Sequence, residues 1–456
     1  MSTDFSQGSV WKRIVAQSIP LMLAQLVQLL YNIVDRIYLG HMPGVGSAAL
    51  TGVGLTFPLI TLIAAFTSLF ATGGTPLFSI ARGAGEEEKA HRIMGNVFLL
   101  LSVSSVLLMG VSFLWRRPIM FLFGASEASY IYADAYLSIY LLGTPLSMLA
   151  TGMNGFINAQ GFPRMGMLTV VIGALLNLLL DPLFIFVFDM GVSGAALATV
   201  ISQGVSCLWV LRFLTDRRVS YRLEKSILSL RGDLVRRILA LGMAGFIMQG
   251  TNCLVQASCN STLSLFGGDL YVGVMTVLLS VRSVLELPLS GLISGAQPVL
   301  GFNYGAKKYD RVRQGIRFMT LCGMIYNALA WAFVLLFPAF LMRIFSSDAQ
   351  LLAVGPKALH TYFFGYIFMS FQFAGQATFQ SLGFARKASF FALLRKAVIV
   401  VPLTLLLPRL GLGVTGVFMA EPVSNVIGGI ASFTTMYFTV YKKLGNAQPS
   451  DSVSQA

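Results

Sequence analysis

The chain has 456 residues, 56% hydrophobic and only 11% charged, with a mean hydropathy of +0.76. A water-soluble protein of this length needs far more charged surface, so the composition excludes a soluble enzyme or binding module and places the chain in lipid. The net charge of +14 invites a nucleic-acid partner, but the placement of the charges argues against one.

Twelve apolar stretches are long enough to cross the hydrocarbon core, which takes about 20 helical residues. In chain order they cover 12–39, 50–77, 92–117, 129–158, 165–188, 192–214, 233–265, 271–300, 313–337, 354–382, 388–408 and 413–440. Their apolar runs are continuous rather than alternating in period two, which excludes barrel strands. The first stretch runs a full span without a cleavage site, so no signal peptide is read. The fold class predicted is therefore an all-α membrane protein of twelve transmembrane helices.

With a cytoplasmic amino terminus, 25 of the 32 Lys and Arg fall on the cytoplasmic side, including Arg212 to Arg237, Lys307 to Arg317, Arg386 to Lys396 and Lys442-Lys443. That asymmetry is the positive-inside rule, and it predicts a multi-pass protein of the cell membrane with both termini cytoplasmic. Cys207, Cys253, Cys259 and Cys322 sit in apolar helices without metal spacing and read as core residues.

The chain also repeats itself at an offset of 222 residues. Pro76 returns as Pro298, Gly83-Ala84 as Gly305-Ala306, Gly161-Phe162-x-Arg164 as Gly383-Phe384-x-Arg386, and Gly191-Val192-Ser193-Gly194 as Gly413-Val414-Thr415-Gly416. A duplicated apolar chain points to a transporter of two halves with a path between them. The expected organisation is a six-helix lobe over 1–214, a cytoplasmic linker over 215–231, a second six-helix lobe over 232–444 and a disordered tail over 445–456. An even number of spans per copy gives both lobes one orientation, related by a pseudo-two-fold axis along the membrane normal.

Ionisable groups inside the spans are costly and therefore candidates for function. Gln28, Tyr31 and Asp35 share one face of the first span. Asp35 lies about 7 Å below its end at Gly40. Asn177 and Asp181 are one turn apart in the fifth span. Asp181 and Thr199 lie nine residues either side of the turn at Met190, so their depths match at roughly 13 Å. Asp35, Asn177, Asp181 and Thr199 can thus converge into an oxygen-rich set suited to a hard cation, Na+ among them, or to a shared proton. The competing readings are an interfacial Asp35–Arg36 pair and Asp181 as the cap of a helix broken at Pro182. The repeat partners of Asn177, Asp181 and Thr199 are Ile399, Leu403 and Glu421, so the cation site is expected in one lobe only. The second lobe offers Asn252, Gln256, Arg282, Glu286, Gln372, Gln376 and Glu421. Arg282–Glu286 reads as an internal ion pair, with Glu286 as a contact for a cationic substrate the alternative.

These motifs carry a resemblance. The Tyr31-x3-Asp35 pair, Gly161-Phe162-Pro163-Arg164, Asn177-x3-Asp181-Pro182 and Gly191-Val192-x-Gly194-Ala195-Ala196, set in two six-span halves, resemble the multidrug and toxic compound extrusion (MATE) transporters over nearly the whole chain. The resemblance implies an outward-facing V of two bundles that exports amphipathic, mostly cationic compounds against H+ or Na+ entry, with no resident cofactor. It implies cation coupling at Asp35, Asn177, Asp181 and Thr199, a helix hinge at Pro20 and a cavity wall at Asn154, beside Gln28, Tyr31, Gln256 and Glu286. Another branch of the family uses carboxylates in the seventh and tenth spans, where this chain has Asn252, Gln256, Gln372 and Gln376. The expectation is a monomer in the bilayer, binding small molecules and no nucleic acid. The runner-up is a flippase for lipid-linked precursors, which calls for several cavity Arg or Lys; Arg36 and Arg282 alone qualify, each beside an acid. A prenyltransferase-like enzyme lacks its second Asp-rich motif, and no nucleotide loop is present.

Overall fold

The computed structural model describes residues 4–40, 42, 46–123, 125–345 and 348–446, and over these the chain is an all-α membrane protein. The first half is built from α1 (Val10–Gly40), α2 (Gly46–Gly83), α3 (Glu87–Leu122), α4 (Glu127–Leu142), α5 (Thr144–Ala159), α6 (Pro163–Pro182) and α7 (Gly191–Thr215). The long α8 (Gly232–Gly305) follows, then α9 (Tyr309–Leu336), α10 (Pro338–Phe345), α11 (Ala349–Tyr362), α12 (Phe368–Ser381), α13 (Ala385–Leu393), α14 (Val401–Leu406), α15 (Gly413–Met436) and α16 (Lys442–Asn446).

Nine helical segments among the described residues are long and apolar enough to cross a membrane, against twelve predicted stretches. Backbone breaks account for the difference. The stretch 129–158 divides at Gly143 into two helices of 16 residues, and 354–382 divides around Gly365 into two of 14. Two further stretches run together as α8, interrupted at Gly268, whose φ of 69° and ψ of −170° are open only to a residue without Cβ.

The repeat is visible in the backbone. The left-handed positions Gly85, Gly161, Asp189 and Gly191 recur 222 residues on at Lys307, Gly383, Gly411 and Gly413. The halves also meet reciprocally: a Cβ on Gly83 would strike the carbonyl of Phe302, and one on Gly305 the carbonyl of Ile80, the repeat partner of Phe302. Further along, Gly73 packs on the Ile238 backbone and Gly295 on that of Ser18. Small residues let these helices approach backbone to backbone, as lipid-embedded helices require.

The connection over 215–231 is stitched down rather than loose. Gln160 Nε2 donates to the Tyr221 carbonyl at 3.0 Å, while Asn96 donates to Ser229 O at 3.1 Å and accepts from Arg231 N–H at 2.9 Å. Gly445 and Asn446 of the expected tail close α16, and 447–456 lie outside the described residues. Cys207 and Cys259 are buried, but Cys253 is exposed on α8, so the core reading fails for it.

Candidate functional site

Two polar clusters lie inside the helices, one in each half. In the first, α6 brings Asn177 and Asp181 to one buried face, and α7 sets the buried Thr199 against them. Asn177 Nδ2 lies 3.4 Å from Asp181 Oδ1. Turning the amide end for end places the donor 2.9 Å from Asp181 Oδ2 and lets its oxygen accept from the Thr199 N–H at 3.3 Å, and we assign it so. Thr199 Oγ1 donates back to Ala195 O at 3.0 Å.

From α1, Asp35 comes within hydrogen-bonding reach of Asp181, and Asp35 Oδ1 is buried without a hydrogen-bond partner. Two carboxyls this close repel when both are ionised. Arg36 lies over the Phe57 ring, its Cζ 5.0 Å from the centroid, and Asp35 turns to Asp181. Asp181 caps nothing: the helix continues past Pro182 as a π turn over Leu183–Val187, a widening that recurs at functional sites. Tyr31 faces Asp35, Asp181 and Thr199, and Tyr136 on α4 faces Asp35 and Thr199. Tyr136 stacks on Tyr140 with ring centroids 5.7 Å apart. Sequence reasoning missed both of these tyrosines; their i, i+4 spacing on α4 was the available signal.

Groups of three or more His, Cys, Asp or Glu able to hold a metal ion are absent among the described residues. Gln28 and Asn154 line a separate cavity of about 400 Å³ with Gln25, Asn158, Ser294 and Gln297. Asn154 Nδ2 donates to Gly166 O at 3.1 Å, and its oxygen is left unpartnered. Pro20 is buried inside an uninterrupted α1.

In the second half, Gln256 and Glu286 line a cavity of about 350 Å³. Glu286 is taken by Arg282 Nε, which also donates through Nη1 to Tyr362 at 2.9 Å and to Glu421 Oε1 at 2.5 Å. The same Glu421 oxygen accepts from Arg395 Nη1 at 3.0 Å and from Lys396 Nζ at 2.9 Å. Arg395 and Lys396 are buried, in a π turn over Leu394–Val400 that follows α13. This corrects their assignment to the cytoplasmic charge. The repeat held the signal. Gly173-Ala174 pairs with Arg395-Lys396, and Ser206, which fills the space beside Gly173, pairs with Gly428, which makes room for Arg395.

Comparison with known proteins agrees with this architecture. The MatE family model matches residues 20–183 and 246–406, two segments displaced by nearly the repeat length. The multidrug export protein MepA of Staphylococcus haemolyticus (strain JCSC1435) is 23% identical over 435 residues, covering 95% of this chain and 94% of MepA. MepA of Staphylococcus aureus (strain NCTC 8325 / PS 47) is 22% identical over 441 residues, covering 95% of each. A crystal structure of MATE in the bent conformation superposes with a TM-score of 0.91 at 24% identity, over 98% of this chain and all of that one.

Proposed function

The chain belongs to the MatE family, and from that premise we propose that it exports small amphipathic, mostly cationic compounds by antiport against H+ or Na+, through alternating access. The observation that carries the reading is the Asp35–Asp181 pair, closed by Asn177 and Thr199 and walled by tyrosines. A carboxyl pair that needs a proton or a cation to stay together is a coupling device: loading closes it and release reopens it. The relatives' names, multidrug export proteins, support export of small compounds.

In this reading lobes 1–214 and 232–444 rock about the linker 215–231 as a monomer in the cell membrane, with both termini cytoplasmic. The interlocked Gly83 and Gly305 ends then form the closed cytoplasmic side. Pro20 is the hinge, since its missing N–H weakens α1. Pro20→Ala should cut turnover several-fold while leaving substrate affinity unchanged; an unaltered rate makes α1 a rigid strut.

A specific observation favours a second reading. Arg282, Arg395 and Lys396 supply the cavity cations that a precursor flippase needs. Two of those charges are balanced by Glu286 and Glu421, however, leaving one for a diphosphate that carries at least two, so the exporter stands first. The deciding experiment reconstitutes the full chain in proteoliposomes and imposes proton and sodium gradients separately. Uptake of an ethidium-like cation driven by one gradient, and lost in Asp35→Asn, is expected. Gradient-independent movement of a pyrophosphate-linked lipid overturns the reading.

A further inference from the structure

We propose that the cavity in the second half binds an amphipathic monocarboxylic acid, seated on Arg395 and Lys396. The first ground is charge. Arg282, Arg395 and Lys396 face Glu286 and Glu421, all five line the cavity, and the count leaves one positive charge without a counter-ion. An uncompensated charge among apolar helices is costly, and one carboxylate removes the deficit.

The second ground is unused bonding capacity. All three cations converge on a single oxygen of Glu421. Arg395 has five N–H donors and spends Nη1 on Glu421 and Asn425; Lys396 has three and spends one on Glu421. A planar carboxylate fits the remaining guanidinium edge.

The third ground is the rest of the lining, which is polar beside the cations, at Gln372 and Gln376, and apolar beyond them. Met275, Leu279, Phe373 and Val417 supply an apolar surface for the acid's body. A single missing charge also selects a monoanion over a phosphate dianion. The proposal goes beyond the exporter reading, whose cargo is mostly cationic, and rests on it only for the claim that the acid is cargo; the binding itself does not.

The test uses the full chain in lipid nanodiscs without any ion gradient. Radiolabelled N-acetyl-L-phenylalaninate is the probe, and N-acetyl-L-phenylalaninamide is its neutral twin. Saturable binding of the acid, at least about tenfold tighter than the amide, is expected. Lys396→Met balances the cluster at two charges of each sign, so the fold should survive. It should weaken the acid at least about tenfold and abolish the rise in unfolding temperature that the acid gives the parent protein. Equal binding of acid and amide, parental affinity in Lys396→Met, or displacement of the acid by equimolar chloride overturns the proposal. Asp35→Asn separates the two readings, because it should stop export and leave the acid bound. Absent acid binding with intact gradient-driven cation export sinks this inference alone. Acid binding with export indifferent to Asp35→Asn sinks the coupling reading alone.

Discussion

The two halves share a backbone and differ in charge. Left-handed turns, glycine contacts and helix order recur at the 222-residue offset. Yet where the first half holds Asn177, Asp181 and Thr199 with Asp35 beside them, the second puts Ile399, Leu403 and Glu421 at the matching positions and brings in Arg282, Arg395 and Lys396. The first cluster is built on two carboxyls, and the second sets three cations against two carboxylates. A duplicated scaffold can thus keep one backbone while its two halves carry different charge.

The largest effect should come from neutralising the first cluster. Asp35→Asn and Asp181→Asn should each reduce gradient-driven efflux to the level of protein-free vesicles, with normal amounts of protein in the membrane. The double variant should do no worse than either, because the two carboxyls act as one unit. If one single variant retained full transport, the pair would be a structural contact, and the contrast between the halves would lose its functional meaning.

Next comes a comparison at one repeat position. Glu421→Gln removes the negative charge that three cations share and should cost about 3–5 kcal/mol of stability, the usual toll of breaking a buried ion pair. Thr199→Val, at the matching place, deletes a hydroxyl bonded to Ala195 O and should cost about 1 kcal/mol. Thermal unfolding in detergent measures both. Equal losses would show that the second cluster is no more strongly held than the first.

How the sequence revealed some of this and hid the rest follows from the same comparison. Asp35, Asn177, Asp181 and Thr199 could be read because helical rise converts sequence distance from a turn into depth, and four polar groups matched in depth. The repeat could be read because Gly161 and Gly191 occupy left-handed backbone that other residues resist, so the glycine recurs wherever the turn does. Arg395 and Lys396 stayed hidden because basic residues near a span's start look like positive-inside anchors. Only the π turn and Gly428 carry them inward. The breaks at Gly143 and Gly365 were also missed, since hydropathy averages over a bend that leaves the chain in lipid.

The reciprocal contact between the halves gives a third test. Gly83→Ala and Gly305→Ala each push a methyl group against a carbonyl of the other half, Phe302 and Ile80 respectively. Overpacking of this kind costs about 1–3 kcal/mol, and the pseudo-symmetry predicts equal losses. A loss in one variant alone would show that the interlock is carried by one half and merely touched by the other.

The smallest effect asks whether the symmetry reaches single backbone angles. Gly85 and its repeat partner Lys307 both have positive φ, 75° and 55°, and nothing lies within 4 Å of where a Gly85 Cβ would be. Left-handed backbone costs an L-residue about 1–2 kcal/mol. Glycine avoids that penalty but loses about 0.5–1 kcal/mol of chain entropy on ordering. The difference gives opposite signs at the two sites: Lys307→Gly should stabilise by about 0.5 kcal/mol and Gly85→Ala should destabilise by a similar amount. Because Gly85 faces open space, packing cannot supply its loss, and the pair isolates the backbone term. Unfolding midpoints that move in the same direction for both substitutions would show that the matching angles at 85 and 307 are held by different forces, ending the symmetry argument at the level of the helices.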